Sequence, residues 1–517
     1  MDHYSSLILF ATSIATALFF VFKCLELRRH ASRPFPPGPT SHLLIGNLLS
    51  LPKDHEHFAY EKMSKELNSN IISLKFPGTH IIVLHTAQAA TELFEKRSAN
   101  YSDRTNFAMV YDKRLFDWSD FIVFERYGER LKRHRRVFNT QLSRNAIKSF
   151  HQSSEHHCRQ LLQRLMSVYS MLTSSDQIHR EIHRTAAAGI LDMAYGYLVE
   201  EPDDLFVTNI KEILAEFSQA AVPTNFLVNI FPILAHVPAW IPGAGWKRFA
   251  QEARRKKEKT MSDIYAWTRD DVENKAARPS IIGSLVQHYT AQGGITSETE
   301  ADMKQEGMAM FGAGADTIAS SLQVFVLAMT MFPDAQNKAQ EELDRVVGLS
   351  RLPSLSDRHD LTYVENLMHE VMRWQPIVSL GVPHTCSKDD TYRDYRIPKG
   401  AMVFGNLWAM TRDENVYPNP ESFNPDRFLD PNTPPAPVFG WGRRKCPGSH
   451  YAQDFLFICM ASMLATFKFS MAKDEAGENI IPSTDPAAKA TLYHPTTFAC
   501  RIAPRSERHQ KLVDLYI

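Results

Sequence analysis

Cysteine is scarce and dispersed in this 517-residue chain: Cys24, Cys158, Cys386, Cys446, Cys459 and Cys500 form no C-x-x-C pair and no zinc-like spacing. A disulfide framework or a structural zinc cluster is therefore not what organises the fold. The pattern suits a reducing compartment, where one thiol can stay free as a metal ligand. Charge of one sign is also lacking. The 58 basic and 58 acidic residues cancel, which argues against nucleic acid as a partner and leaves only local patches. No G-x-G-x-x-G fingerprint occurs, so a dinucleotide is expected to bind elsewhere than on this chain. No linker interrupts the sequence after its first fifty residues. A composition of 44% hydrophobic and 22% charged residues is that of one large globular unit with ample core. The stretch after Cys446 is too short for a flavin or iron–sulfur domain, so any electrons are expected from a separate protein.

Long hydrophobic runs are equally few. Tyr4 to Phe22 is uncharged and rich in Leu, Ile, Ala, Val and Phe, just long enough to cross a bilayer as a helix. Asp2 precedes it and Lys23, Arg28, Arg29 and Arg33 follow, so the positive-inside tendency places the remainder in the cytosol. The competing reading, a cleaved signal peptide, calls for a positive start, a shorter apolar core and a small-residue cleavage site. Pro34, Pro36, Pro37 and Pro39 around Gly38 make a stiff spacer that a helix cannot continue through. The expected organisation is a transmembrane anchor at 4–22, a basic and proline-rich hinge at 23–50, and one folded domain at 51–517.

Against this background stands Phe439-Gly-Trp-Gly-Arg-Arg-Lys-Cys-Pro-Gly448. A thiol followed by Pro447 and by an apolar run from Tyr451 to Leu464 reads as a thiolate at a helix entrance, where free N–H groups and the macrodipole favour negative charge. Gly442 and Gly448 permit tight turns and the close approach of a flat partner. Arg444 can neutralise an acid group beside the sulfur, and Phe439 would cover it with an apolar ring. A buried core cysteine with chance neighbours is the plainer alternative. Upstream, Thr296 to Phe332 reads as the longest helix, stopped by Pro333. In its middle Phe311-Gly-Ala-Gly-Ala-Asp-Thr317 places small residues, Gly314 among them, where larger helix formers would be more stable. Helix packing explains a lone Gly-Ala-Gly, and so does something flat lying against the helix. Asp316 and Thr317 add an acid and a hydroxyl. A threonine bonding back to the preceding turn can loosen the helix and leave room for oxygen or water.

The Cys446 segment resembles the cysteine-ligand loop of the cytochrome P450 family, the haem-thiolate monooxygenases, and further motifs of that family recur over nearly the whole chain. The resemblance implies a mainly α fold with a small β region, a single large haem domain behind an N-terminal transmembrane helix. It implies that Cys446 is the axial ligand of a haem b iron. Arg444, Arg135 and His384 would then contact the haem propionates, Phe439, Gly448 and Gly314 would lie against the haem, and Thr317 and Asp316 would deliver protons during dioxygen cleavage. Arg135 lies in Arg126-Tyr-Gly-Glu-Arg-Leu-Lys-Arg-His-Arg-Arg136, a basic run that by itself reads as a solvated face. The family usually has Trp where Leu131 stands, on the same helix face as Arg135, so a Trp–propionate bond is absent. The outward charges of this run are expected to dock an acidic electron donor. His384 is equally well read as a core histidine. Glu370 and Arg373, on the helix Tyr363 to Trp374, would join Arg427 of Asn424-Pro-Asp-Arg-Phe428 in a buried triad that supports the Cys446 loop, with Asp426 where the family often has Glu.

The remaining segments fill in around these. Ile71 to Leu74 and Ile81 to Leu84 read as a hairpin, and Ala401 to Phe404 as a further strand of the same small β region. Asn106 to Phe121 is apolar without a clean period and is expected to cover a pocket or to pack in the core. Pro223 to Trp246 is aromatic and broken by prolines, which suits a lid near a bilayer or a buried loop. The basic run Arg254 to Lys259 reads as solvated surface. Ile377 to Val382 and Leu492 to Thr497 are candidate pocket walls. The wording of Tyr127–Arg136, Gly381–Gly405 and Phe439–Gly448 is most like fungal microsomal members of the family that act on polyketide, terpenoid or indole secondary metabolites. The resemblance thus implies an endoplasmic reticulum enzyme with its catalytic domain in the cytosol, a lipophilic small-molecule substrate, NADPH–cytochrome P450 reductase and cytochrome b5 as electron partners, and membrane lipid at its base. A haem-thiolate isomerase or dehydratase that uses no dioxygen, and a catalytically silent haem-binding protein, share the same ligand loop and stay open at this point.

Overall fold

The computed structural model describes residues 33–514 apart from 44, 53, 77–78, 105–106, 170–173, 202–203, 222–224 and 487–491. The expected span at 4–22 and the first part of the hinge lie outside the described residues. The helices that build the core are α1 (Glu129–Gln141), α2 (His151–Val168), α3 (Ser175–Tyr195), α4 (Leu205–Ala221), α5 (Gly245–Glu273), α6 (Ser297–Met331), α7 (Pro333–Val346), α8 (Thr362–Trp374) and α9 (Ser449–Thr466).

Helix α6 starts where local chemistry says it should. The Thr296 side chain accepts from the Thr299 N–H while the Thr299 hydroxyl returns to the Thr296 N–H, and Glu298 and Glu300 in the first turn complement the macrodipole. It ends at Phe332, before Pro333. From Ile318 to Thr330 every residue is buried, so this is the central rod of the domain. Among the described residues it is also the one helix long and apolar enough to cross a membrane, but most of that apolar stretch is buried inside the protein.

Glycines set how closely the rods approach. A Cβ on Gly307 would stand 2.3 Å from Tyr195 Oη, one on Gly314 would stand 2.9 Å from Ile190 Cδ1, and one on Gly189 would stand 2.5 Å from Phe455 Cε2. Thus α3 is pressed against both α6 and α9 at points where only hydrogen fits. Gly314 is one of these points. Its missing side chain makes room for Ile190 of α3, and the neighbouring Ala313, about 100° round the helix, is the exposed one.

The β region is a four-stranded sheet, β1 (Ile71–Phe76), β2 (Thr79–Leu84), β3 (His384–Thr385) and β6 (Met402–Gly405), in the order β1-β2-β6-β3. β1 and β2 form the antiparallel hairpin, and β6 joins β2 in parallel with Ile81 opposite Met402. Two smaller ladders, β4 (Asp390–Tyr392) with β5 (Tyr395–Ile397) and β7 (Phe467–Met471) with β8 (Cys500–Pro504), flank the helices.

The basic run Arg254–Lys259 of α5 departs from the solvated reading. Lys257 is buried, its ammonium donating to the carbonyls of Phe116 (3.2 Å) and Asp117 and lying 5.2 Å from the Trp118 ring. Arg254 donates to Lys113 O and sits 3.4 Å from the Asp117 carboxylate. Lys256 pairs with Glu212 and Glu216 of α4 at 2.9 and 2.8 Å. The run therefore pins the segment around residues 113–118 and α4 to α5, because main-chain oxygens and acids that would otherwise be buried unpaired need donors there.

Candidate active site

The segment Phe439–Gly448 closes on itself, the Cys446 N–H donating to Phe439 O at 2.8 Å. Gly440 and Gly442 have φ of 72° and 54°, and a Cβ on Gly442 would stand 2.4 Å from Phe94 O. The loop thus rests on the Thr91–Lys96 turn with no room for another residue type. Phe439 packs on the main core. Gly448 caps α9, and beyond its own neighbours the atom nearest to where its Cβ would stand, among the described residues, is the Cys446 sulfur, at 4.0 Å. Its missing side chain therefore leaves open the space beside the sulfur.

Burial pushes the Cys446 thiol up from its ordinary pKa, while the Gly448 N–H and the Arg135 guanidinium pull the other way and favour thiolate. Yet Cys446 is exposed by area. Both hold for a side chain enclosed by protein and facing an interior space. Ala313 is likewise exposed in mid-helix while Phe311, Ala315 and Ile318 beside it are buried, and α6 packs against α9, whose start carries the sulfur.

Cations gather at this end. Arg444 donates from Nε to Ser102 O at 2.7 Å, from Nη1 to Ile122 O at 3.3 Å and from Nη2 to Glu125 O. Arg104 donates to Val382 O at 2.6 Å and to Pro383 O, with its Nε buried and unpartnered. His384 donates from Nδ1 to Tyr101 O at 2.6 Å and stacks on Phe94 at 4.0 Å. Arg135 has no hydrogen bond or ion pair among the described residues, and the Cys446 thiolate is the one group that raises its pKa. Burial holds Arg444 down to about 10, with Arg135 adding to the effect against Asp103 and Glu125. Burial and Arg444 hold Arg104 well below its ordinary value. Burial, Arg104 and Arg444 hold His384 neutral. Buried cations that oppose one another, one with an orphaned N–H, call for anions. A haem fits on each count: its propionates answer the arginines, its iron the sulfur, and its flat ring the openings at Gly448 and Ala313.

The basic helix α1 is less outward than its composition reads. Arg130 pairs with Asp120 at 2.9 Å and Asp302 at 3.1 Å, Arg133 with Glu298 at 2.5 Å and Asp302 at 3.3 Å, and His134 Nδ1 lies 2.9 Å from Glu306. The first turns of α6 thus neutralise much of the run. Arg136, Arg443 and Lys445 stay exposed, as does Lys132 beside Glu129.

Glu370, Arg373 and Arg427 come together. Arg373 donates to both Glu370 carboxylate oxygens at 2.7 and 2.9 Å and to the carbonyls of Thr411 (2.9 Å) and Ser422 (3.2 Å). Arg427 Nε reaches the same carboxylate at 3.1 Å, and the Asn424 N–H donates to it at 2.7 Å. Glu370 and Arg373 have no exposed side-chain area. The cluster therefore clamps α8 to the main chain of the segment that leads into the Cys446 loop.

Thr317 Oγ1 donates to Ala313 O at 2.9 Å and is 3.3 Å from Gly314 O, yet α6 remains continuous. The Asp316 carboxylate is held below its ordinary pKa, burial being outweighed by His494, His183 and Lys211. Arg104 and His494 were not singled out from the sequence. Arg104 has no spacing signal beyond standing next to Asp103, and His494 is a lone histidine in a loop.

The cytochrome P450 family model matches residues 36–496. The chain belongs to the cytochrome P450 family. It is similar to a cytochrome P450 monooxygenase of Armillaria gallica, 36% identical over 97% of this chain and 99% of that protein. Cytochrome P450 monooxygenase 208 of Postia placenta is 38% identical over 97% and 96%, and cytochrome P450 monooxygenase COX1 of Coprinopsis cinerea is 32% identical over 98% of each. This P450 is a monooxygenase whose cofactor is haem b. The haem, when bound, supplies the redox centre at which dioxygen is split. The chain's part is to keep the sulfur ligand anionic, neutralise the propionates, exclude water and conduct protons. Removing Arg373 would leave the buried Glu370 carboxylate with only Arg427 and the Asn424 N–H and leave the Thr411 and Ser422 carbonyls without their shared donor, at a cost of up to about 3–5 kcal/mol. Arg373→Ala is therefore expected to purify with almost no haem, read as Soret absorbance per protein. Full haem content in that variant would show that the clamp does not support the loop.

Proposed function

We propose that this P450 inserts one oxygen atom from dioxygen into a lipophilic secondary metabolite of terpenoid, polyketide or indole type, with electrons from NADPH through a separate reductase and with cytochrome b5 as a second donor. The observation that supports the reading is a cluster of aromatic rings packed beside Gly312 of α6. Trp118 meets Phe121 and Phe217 at 4.7 and 4.8 Å between ring centroids, and Phe124 stacks on Phe217 at 5.3 Å. Phe121 Cζ and Leu214 Cδ2 stand 3.8 and 3.7 Å from where a Gly312 Cβ would be. Walls of this kind bind by apolar area and discriminate weakly among similar hydrocarbons, so the polar demand falls on Asp316 and Thr317. Asp316, held as a carboxylate, would take a proton at Oδ2, and Thr317 would pass one at Oγ1 once it leaves its bond to Ala313 O.

The exposed Arg136, Arg443 and Lys445 suit an acidic donor protein. Leu227, Ile233 and Trp240, exposed at 67%, 72% and 80%, suit a bilayer surface, with 4–22 as the anchor and 23–50 as the hinge of an endoplasmic reticulum protein.

Cys446→Ser is expected to abolish the red-shifted Soret band of the reduced carbon monoxide complex and all product formation. Turnover in that variant would overturn the reading. Spin-state titration with a panel of terpenoid, polyketide and indole compounds identifies the substrate class, and a panel without any shift would remove the proposed class. Thr317→Ala is expected to raise peroxide release per NADPH consumed, and unchanged coupling would take Thr317 out of the proton path. Deleting residues 1–30 is expected to leave the protein bound to membranes only through its apolar surface, so that high-pH or detergent-free salt washes release it. Retention equal to the full chain would refute the anchor.

A further inference from the structure

The carboxylate of Asp316 has a neighbour that the reaction as described does not use. His494 comes from a loop fixed on both sides: the Tyr493 N–H donates to Ile377 O at 2.7 Å, Tyr493 Oη to Thr484 O at 2.8 Å, and the Phe498 N–H to Ser175 Oγ at 3.0 Å. From that loop its imidazole reaches α6 twice. Nδ1 lies 2.9 Å from Ser320 Oγ, and Nε2 lies 3.4 Å from Asp316 Oδ2. Asp316 and Ser320 are one turn apart on the same helix face, so a single ring spans both.

We propose that His494 is the positioning residue that reloads Asp316 with protons during turnover, acting through that carboxylate and not on the substrate. The inference rests on the proton path assigned above to Asp316 and Thr317 and goes beyond it. The transfer is balanced. The Nε2–H bond breaks as an Oδ2–H bond forms, imidazolium and carboxylate become imidazole and carboxylic acid, and no electron leaves either group. The imidazole regains its proton from water, to which its side chain is 31% exposed. Ser320 is suited to the cycle. Loss of the Nε2 proton leaves the neutral ring with its Nδ1–H, so Nδ1 donates to the Ser320 hydroxyl in both states and the ring stays oriented.

The other titratable groups facing this site serve less well. His183 of α3 is held neutral mainly by burial, and His179 of α3 is pushed down to about 4 by burial. Lys211 of α4 acts on Asp316 only at longer range, as one of its weaker influences. Imidazole is also the side chain type that gains and loses protons near neutral pH.

His494→Gln tests this. A glutamine amide can still donate to Asp316 and meet Ser320, but it cannot carry a proton. In the haem-loaded enzyme with its reductase, NADPH and the panel compound giving the largest spin-state shift, the variant is expected to release at least about tenfold more peroxide per product. The solvent deuterium isotope effect on product formation is expected to rise. Binding, read by the spin-state titration, and the carbon monoxide band stay as in the parent. A second reading needs no turnover: the infrared band of protonated Asp316, identified by its loss in Asp316→Asn, is expected to appear at higher pH in His494→Gln, since a protonated ring favours the carboxylate. Parent-like coupling and isotope effect in His494→Gln would reduce His494 to a structural hydrogen-bond partner and overturn the proposal, and so would an Asp316 band at unchanged pH. If Thr317→Ala and Asp316→Asn also leave coupling intact, it is the proton path itself that fails. His494→Ala, if it retains haem, must be at least as uncoupled as the glutamine variant.

Discussion

A thiolate enclosed by protein costs free energy, and the groups around Cys446 decide how much of that cost a bound iron would have to meet. The Gly448 N–H at the head of α9 and the Arg135 guanidinium favour the charge, while the surrounding protein opposes it. Neither influence reaches the sulfur unless the loop keeps its shape. That shape depends on Gly442 being flush with Phe94 and on the Cys446 N–H being tied to Phe439 O. The buried Glu370–Arg373–Arg427 cluster grips the main chain at Thr411, Ser422 and Asn424, so the approach to the loop is held by groups that cannot relax without exposing a charge to the interior.

Charge balance works at two scales. The chain as a whole is neutral, but its charges are segregated. Helix α1 shows how: Arg130, Arg133 and His134 turn to the acids at the start of α6, while Arg135 turns to the sulfur. A helical step of about 100° per residue is enough to send consecutive cations to different employers. Arg104 and Arg444 are placed by main-chain carbonyls and not by acids, which holds them in position without cancelling their charge. That arrangement suits the reception of an anionic cofactor edge.

Parts of this were legible in the sequence because local chemistry announces them. The Cys446 loop carries its glycines and arginine at fixed spacing, α6 carries its cap and its terminating proline, and Glu370 with Arg373 sit on one helix face. Gly314 shows what a sequence leaves unsaid: a glycine in a helix reports that something approaches closely but not what, and where its side chain would stand it is Ile190. The run Arg254–Lys259 looked solvated because several of its partners, the backbone oxygens of Lys113 and Phe116 and the acids Glu212 and Glu216, lie far away in the chain, where a local pattern cannot show them. Arg104 and His494 depend on contacts far away in the chain, with Val382 and with Asp316, and single residues of common types carry no periodicity to expose such pairings.

The way Lys257 and Arg254 hold the segment around residues 113–118 bears on how such enzymes diversify. Apart from the Asp117 carboxylate and the Trp118 ring, their grip is on main-chain oxygens of Lys113, Phe116 and Asp117, and a peptide carbonyl is the same whatever residue bears it. Side chains at 113 and 116, held only by their carbonyls, can therefore be exchanged without undoing the fastening. Sequence can drift between paralogues at those positions while the segment keeps its place.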